Sequence, residues 1–103
     1  MTNNEKTLAI QHVINHPNTE EQYYDLLEQM GDLKKDYWVY MSTEPIDCDA
    51  ELKRIPAADY NLCAALLTML LREDHFSNGT LRKRYEAGQV DAILHRMIAL
   101  LEC

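Results

Sequence analysis

Apolar residues recur along most of this chain at the three-to-four-residue spacing of an amphipathic helix. Within residues 4–15, Ala9, Ile10, Val13 and Ile14 form one stripe. Pro17 ends that segment, because a proline pushes the residue before it, here His16, toward extended backbone. Thr19 opens a second helix. Thr19 and Gln22 have the spacing of a capping box, and Glu20 and Glu21 suit the positive helix start. Tyr23, Leu26, Leu27 and Met30 supply its inward face, and Gly31 its C-terminal cap.

Residues 57–74 depart from this two-faced pattern. Leu62, Cys63, Leu66, Leu67, Met69, Leu70 and Leu71 wrap most of the circumference of a helix, which must then be enclosed by others. Pro56 suits its first turn. Asn78-Gly79 interrupts the chain, a short helix over 80–87 stops at Gly88, and a last helix covers 89–101. Val90, Ile93, Leu94, Met97, Ile98 and Leu101 form its inner face.

The stretch 34–48 escapes the helical period. Tyr37, Trp38, Val39, Tyr40 and Met41 are largely aromatic or β-branched, which suits an extended loop packed on helices or one arm of a small hairpin. The spacing of Trp38 and Met41 leaves the continuation of a helix open as the alternative. Ser, Pro and Asp within 42–50 signal turns, with Asp49 able to cap a short helix through Arg54. The expected fold is all-α: a single domain over 1–103, about five helices around the central apolar helix 57–74. One irregular or extended segment at 34–48 completes it.

Charge and cysteine usage narrow the function classes. The chain has 103 residues, 17 acidic and 10 basic, for a net charge of −7. The excess lies entirely in residues 1–59. Phosphate backbones and anionic membranes repel such a chain, so direct nucleic-acid binding and membrane association are not expected. The apolar run from Leu62 to Leu71 is too short to span a bilayer and contains Thr68. The N-terminus lacks the basic start and apolar stretch of a signal peptide. Cys48, Cys63 and Cys103 are odd in number and form no CxxC pair. A reducing cytoplasm is the expected location.

Candidate chemistry concentrates between Leu70 and Thr80. Glu73 or Asp74 with His75 has the makings of an acid–base pair, and Arg72 could bind a carboxylate or phosphate. The structural counterpart is a charged helix end. His75 is then favoured by the helix dipole, Arg72 fastens the turn to Asp74 or Glu86, Phe76 plugs the core, and Gly79 takes a positive φ. His12 and His16 share a helix face, but two ligands do not make a metal site. In Asp47-Cys48-Asp49 the flanking carboxylates suppress the thiolate. Asp47, Asp49 and Glu51 alternate like oxygen ligands but lack the glycine and final glutamate of a calcium loop. No dinucleotide, P-loop, nucleophile-elbow or zincin motif occurs. No catalytic residue, metal or cofactor is expected.

The stretch Leu71–Leu100 resembles a bacterial and phage-associated domain family of unknown function, number 6508. Arg72, Phe76, Gly79, Leu81, Gly88, Ile93, Arg96 and Leu100 carry the resemblance, and little upstream of Arg72 matches. It implies a small helical protein without an assigned activity and supplies no catalytic residues.

The favoured function is therefore a non-enzymatic protein–protein interaction module. Tyr23, Tyr24, Tyr37, Trp38, Tyr40, Tyr60 and Tyr85 are many amphipathic aromatics for one small domain. Tyr37, Trp38, Tyr40 and Met41 are the expected partner-binding residues, for a protein partner that could be a second copy. One alternative is an acidic inhibitor that imitates nucleic acid toward a basic partner. Another is a small ligand-binding or hydrolase-like domain on Arg72, Glu73 and His75.

Overall fold

The computed structural model describes residues 2–16 and 20–102. Among these described residues six α-helices follow one another: α1 Asn3–Asn15, α2 Glu20–Met30, α3 Cys48–Leu52, α4 Tyr60–Phe76, α5 Thr80–Glu86 and α6 Gln89–Glu102. Two 3-10 turns, Tyr37–Tyr40 and Ile55–Ala57, flank α3, and no strand occurs among the described residues. The fold is the expected all-α bundle. The Pro17 stop and the Thr19 cap lie outside the described residues.

The centre is α4, in which every residue from Cys63 to Leu70 is buried. α2, α3, α5, α6 and the turn Tyr37–Tyr40 all pack against it, while α1 lies on α2 and α6. Ile10 and Val13 of α1, Tyr23, Leu26, Leu27 and Met30 of α2, and Val90, Ile93, Leu94 and Met97 of α6 face inward. These are the stripes that periodicity predicts. Thr68 sits inside this apolar shell because its hydroxyl donates back to the Ala64 carbonyl at 2.8 Å, satisfying itself within the helix.

Local chemistry sets the element ends. Thr2 and Glu5 form a reciprocal capping box that begins α1 at Asn3, a signal visible as Thr2-x-x-Glu5. Gly31 (φ 74°) closes α2. Its N–H donates to Glu28 and the Asp32 N–H to Leu27, the paired bonds of a Schellman end. Across the interhelix corner, the Gln22 side chain donates to the His16 carbonyl at 2.7 Å.

Three boundaries differ from expectation. α4 starts at Tyr60, not 57, because Pro56 belongs to the turn Ile55–Ala57, and Ala58 is extended (ψ 140°) before the cap. Asp59 supplies that cap, accepting the Leu62 N–H at 2.7 Å. Asp47, not Asp49, caps α3, accepting from the Ala50 N–H at 3.2 Å. Residues 37–40 are neither hairpin arm nor extended loop. They close as a 3-10 turn, with Val39 N–H donating to Asp36 and Met41 N–H to Trp38, so the backbone is satisfied without a partner strand.

The α4–α5 junction also corrects two expectations. α4 runs regularly through Phe76, which places that ring one turn beyond Arg72 on the outer face, 80% exposed. Leu81 is the buried residue at the junction instead. Arg72 does not fasten the turn, and Glu86 pairs with Arg82 at 3.2 Å. The fastener is Asp74, 6% exposed, whose Oδ1 accepts the N–H groups of Gly79 (3.0 Å) and Leu81 (3.1 Å). Gly79 has the positive φ expected of it, 91°.

Replacing Asp74 by Ala strips two amide donors of their acceptor. The expected cost is about 2 kcal/mol, or a melting temperature lower by roughly 10 °C. Asp74→Asn keeps the accepting oxygen and should lose less than half of that. Thermal melts followed by circular dichroism would distinguish the two variants.

Candidate binding site

The aromatic turn offers its side chains in two directions. Tyr37 and Met41 pack against the edge of the core. Trp38 and Val39 point outward, 59% and 68% exposed. The Trp38 ring stands edge-on to the Tyr37 ring, with centroids 5.6 Å apart. The Lys34 ammonium lies 5.9 Å from the Tyr40 ring centroid. Of the four expected partner-binding residues, Trp38 is exposed, Tyr37 and Tyr40 are half-buried, and Met41 is half-buried and anchors the turn.

A buried carboxylate holds this turn in place. Glu51 of α3 is fully buried. It accepts from the Ser42 N–H (2.9 Å), the Thr43 N–H (2.7 Å), both hydroxyls of that pair, and Arg54 Nη1 at 2.7 Å. The same Arg54 nitrogen donates to the Tyr40 carbonyl at 3.0 Å, which ends the 3-10 turn. Burial alone would raise the Glu51 carboxyl. The hydrogen bonds from Thr43, Arg54 and Ser42 outweigh it and hold the group at about 2. The alternation Asp47, Asp49, Glu51 is therefore not an oxygen cage: Asp47 caps, Asp49 pairs with Arg84, and Glu51 clamps.

Beside the turn lies a cavity of about 210 Å³. Tyr24 of α2, Leu33 and Lys35 of the following loop, and Tyr37 of the turn form one wall. Thr68, Leu71 and Arg72 of α4 form the other. No carboxylate among the described side chains lines it. Lys35 and Arg72 enter no ion pair among the described residues. Arg72, Tyr24 and Tyr37 are separate candidates in the sequence. They meet, with Lys35 and Thr68, only because a loop and two helices converge, and local spacing carries no signal of that.

Of Arg72, Glu73 and His75, only Arg72 lines the cavity. Glu73 points about 100° away from Arg72, and His75, three residues on, shares the helix face of Arg72 without reaching the cavity lining. Arg72 faces the cavity. Glu73 receives a two-pronged bond from Arg84, Nε to Oε1 at 3.1 Å and Nη2 to Oε2 at 3.0 Å. Arg84 also pairs with Asp49 and donates to Gln89 at 3.3 Å, tying α3, α4, α5 and α6 together. The Glu73 hydrogen bonds lead the causes that hold the Arg84 guanidinium above its usual range. His75 is exposed, its ring edge-on to Phe76 with centroids 5.2 Å apart.

The thiol expected to be suppressed is so, mainly for other reasons. Burial, then a hydrogen bond to Glu73 and its charge, push Cys48 up to about 12, and Asp49 adds the least. Burial likewise pushes Tyr23 up to about 12. Tyr60 is raised by burial and by donating to Asp32 at 2.6 Å, where Lys6 also pairs at 3.0 Å. These two tyrosines serve the fold. His12 and His16 do meet, with centroids 4.7 Å apart. Even so, no group of three or more potential ligands among the described residues could hold a metal ion. No helix among them is long and apolar enough to cross a membrane.

The clamp has a pH signature. A carboxyl held at about 2 when folded and near 4.3 when unfolded stabilises the protein above the unfolded value. That stability, about 3 kcal/mol, should be lost progressively as pH falls from about 4.5 to 2. Chemical denaturation across that range is the measurement. Glu51→Gln should flatten the Glu51 part of the slope and lower stability by about 3 kcal/mol at neutral pH.

No curated protein and no solved structure matches the chain. A family model matches residues 3–102. The resemblance noted over the last third therefore extends through α1, α2, the aromatic turn and the clamp. The chain belongs to the family of unknown function DUF6508.

Proposed function

We propose that this chain is a non-enzymatic binding module that meets a protein partner through the turn Tyr37–Met41 and the cavity mouth beside it. The observation that carries this reading is the outward Trp38–Val39 pair on a turn fixed from behind by Glu51 and Arg54. A rigid aromatic presented to solvent contributes contact area at little entropic cost on binding. Tyr24, 44% exposed, extends the same surface across the cavity.

The engagement of the carboxylates beside His75 supports a binding role over acid–base chemistry. Glu73 is neutralised by Arg84, and Asp74 is occupied by backbone amides. The acidic half supports it over nucleic-acid imitation. Glu5, Asp47 and Asp59 cap helices, and Asp32, Asp49 and Glu51 sit in internal ion pairs. Those charges serve the fold rather than forming a phosphate-like row. Cys48 and Cys63 are free thiols, in keeping with a reducing cytoplasm as the place where the module works.

Trp38→Ala combined with Val39→Ser should leave the melting temperature within a few degrees, because both side chains are mostly exposed. The same variant should reduce partner recovery in crosslinked cell extracts at least tenfold. Light scattering over a concentration series reads the homodimer form, as a mass that doubles for the parent chain and not for the variant. Equal recovery and equal mass for the two proteins would refute the proposal.

A further inference from the structure

The cavity beside the turn is cationic in an acidic protein. The chain carries a net charge of −7, yet Lys35 and Arg72 line this space and no carboxylate among the described side chains does. Lys6 pairs with Asp32, Arg54 with Glu51, Arg82 with Glu86, and Arg84 with Asp49 and Glu73, whereas Lys35 and Arg72 enter no ion pair among the described residues. The remaining lining is amphipathic, with the rings of Tyr24 and Tyr37 and the side chains of Leu33 and Leu71. Thr68 adds no free donor, since its hydroxyl proton goes to Ala64.

Size restricts the occupant. At about 210 Å³ the cavity is below the roughly 300–1,000 Å³ of pockets that enclose whole small ligands. It holds one side chain. Its position matters equally: Tyr37 is both a wall of the cavity and the ring against which Trp38 stands. Whatever fills the cavity lies against Tyr37, whose other neighbour is the exposed Trp38 ring.

We infer that the cavity seats the carboxylate side chain of an acidic residue from the protein partner. The carboxylate binds between Arg72 and Lys35, and a neighbouring apolar residue of the same segment covers Trp38 and Val39. This rests on the interaction reading above and gives it a ligand chemistry. Arg supplies fixed paired donors to a carboxylate and Lys a compact positive charge, so Arg72 governs geometry and Lys35 governs attraction. The stems of both, with the tyrosine rings, accept the methylenes of a glutamate. A charge-dependent anchor beside an aromatic contact gives one module both orientation and area.

Trp38 is the chain's sole tryptophan, so its emission reports directly on this surface. The full chain is titrated with the capped peptide acetyl-Leu-Glu-Phe-amide, its Gln counterpart, 3-phenylpropionate and inorganic phosphate. The Glu peptide should give a saturable change and bind about tenfold more tightly than the Gln peptide, equivalent to ~1.4 kcal/mol. Arg72→Gln and Lys35→Gln should each remove most of that preference while leaving the Gln peptide unchanged. Raising the salt concentration should weaken the Glu peptide alone.

Equal binding of the two peptides, or none by either, overturns the inference. Tighter binding of phenylpropionate or phosphate than of the Glu peptide overturns it too, and assigns the cavity to a free anion. The underlying reading fails separately. If Trp38→Ala with Val39→Ser spares partner recovery, the interaction surface itself is wrong. If that variant abolishes recovery while the peptides bind alike, only the acidic anchor is wrong.

Discussion

Everything in this protein depends on the requirement that α4 be enclosed. Its residues Cys63 to Leu70 are apolar or self-satisfied on every side, so no single neighbouring helix can cover it. α2, α5 and α6 supply three helical neighbours, and α3 together with the turn Tyr37–Tyr40 supplies further cover. The aromatic turn is therefore first a structural element: Tyr37 and Met41 pack on the core. A four-residue 3-10 turn cannot bury all its side chains, however, and the remainder, Trp38 and Val39, must face water. The candidate binding surface is the outward half of a patch that the core requires.

Charge does most of its work inside the fold. The buried Glu51 carboxylate is an expensive choice in isolation, because desolvation alone opposes its ionised form. It is tolerated because two consecutive backbone amides, two hydroxyls and Arg54 converge on it. The result is a connection from α3 through Arg54 to the Tyr40 carbonyl, which fixes a segment that has few helical bonds of its own. Arg84 acts similarly on the other side of α3, drawing Asp49, Glu73 and Gln89 onto one guanidinium. Two arginines and their acids thus position short elements that hydrophobic burial could not fix by itself.

The helices were legible in the sequence because their cause is local. The stripes of α1, α2 and α6, the fully apolar α4, and the stops at Gly31, Gly79 and Gly88 all follow from spacing within one element. The errors lie where the cause is non-local. Phe76 resembles a core plug by composition, but the phase of α4 carries it outward and leaves the interior to Leu81. Residues 37–40 have strand-like composition, yet without a partner strand among the described residues their amides close on themselves in a turn. Asp47 rather than Asp49 caps α3 because the Glu51 clamp sets where that helix begins to turn, and the clamp involves residues eight and nine positions away. The cavity needed Tyr24, Tyr37 and Arg72 from three distant stretches, so only its individual members could be suspected.

The electrostatics of the candidate site follow from the same economy. Seventeen acids in a chain this small must either face solvent or find partners. Many of the available cations are consumed in fastening α3 and α5 and the end of α2. Two cations outside those pairs, Lys35 and Arg72, share one cavity whose described lining holds no acidic side chain. Lys35 and Arg72 contribute nothing visible to the bundle, since neither bridges two elements. On this face Lys35, Arg72 and Trp38 are spared such structural duties, and that is the ground on which the proposed interaction rests.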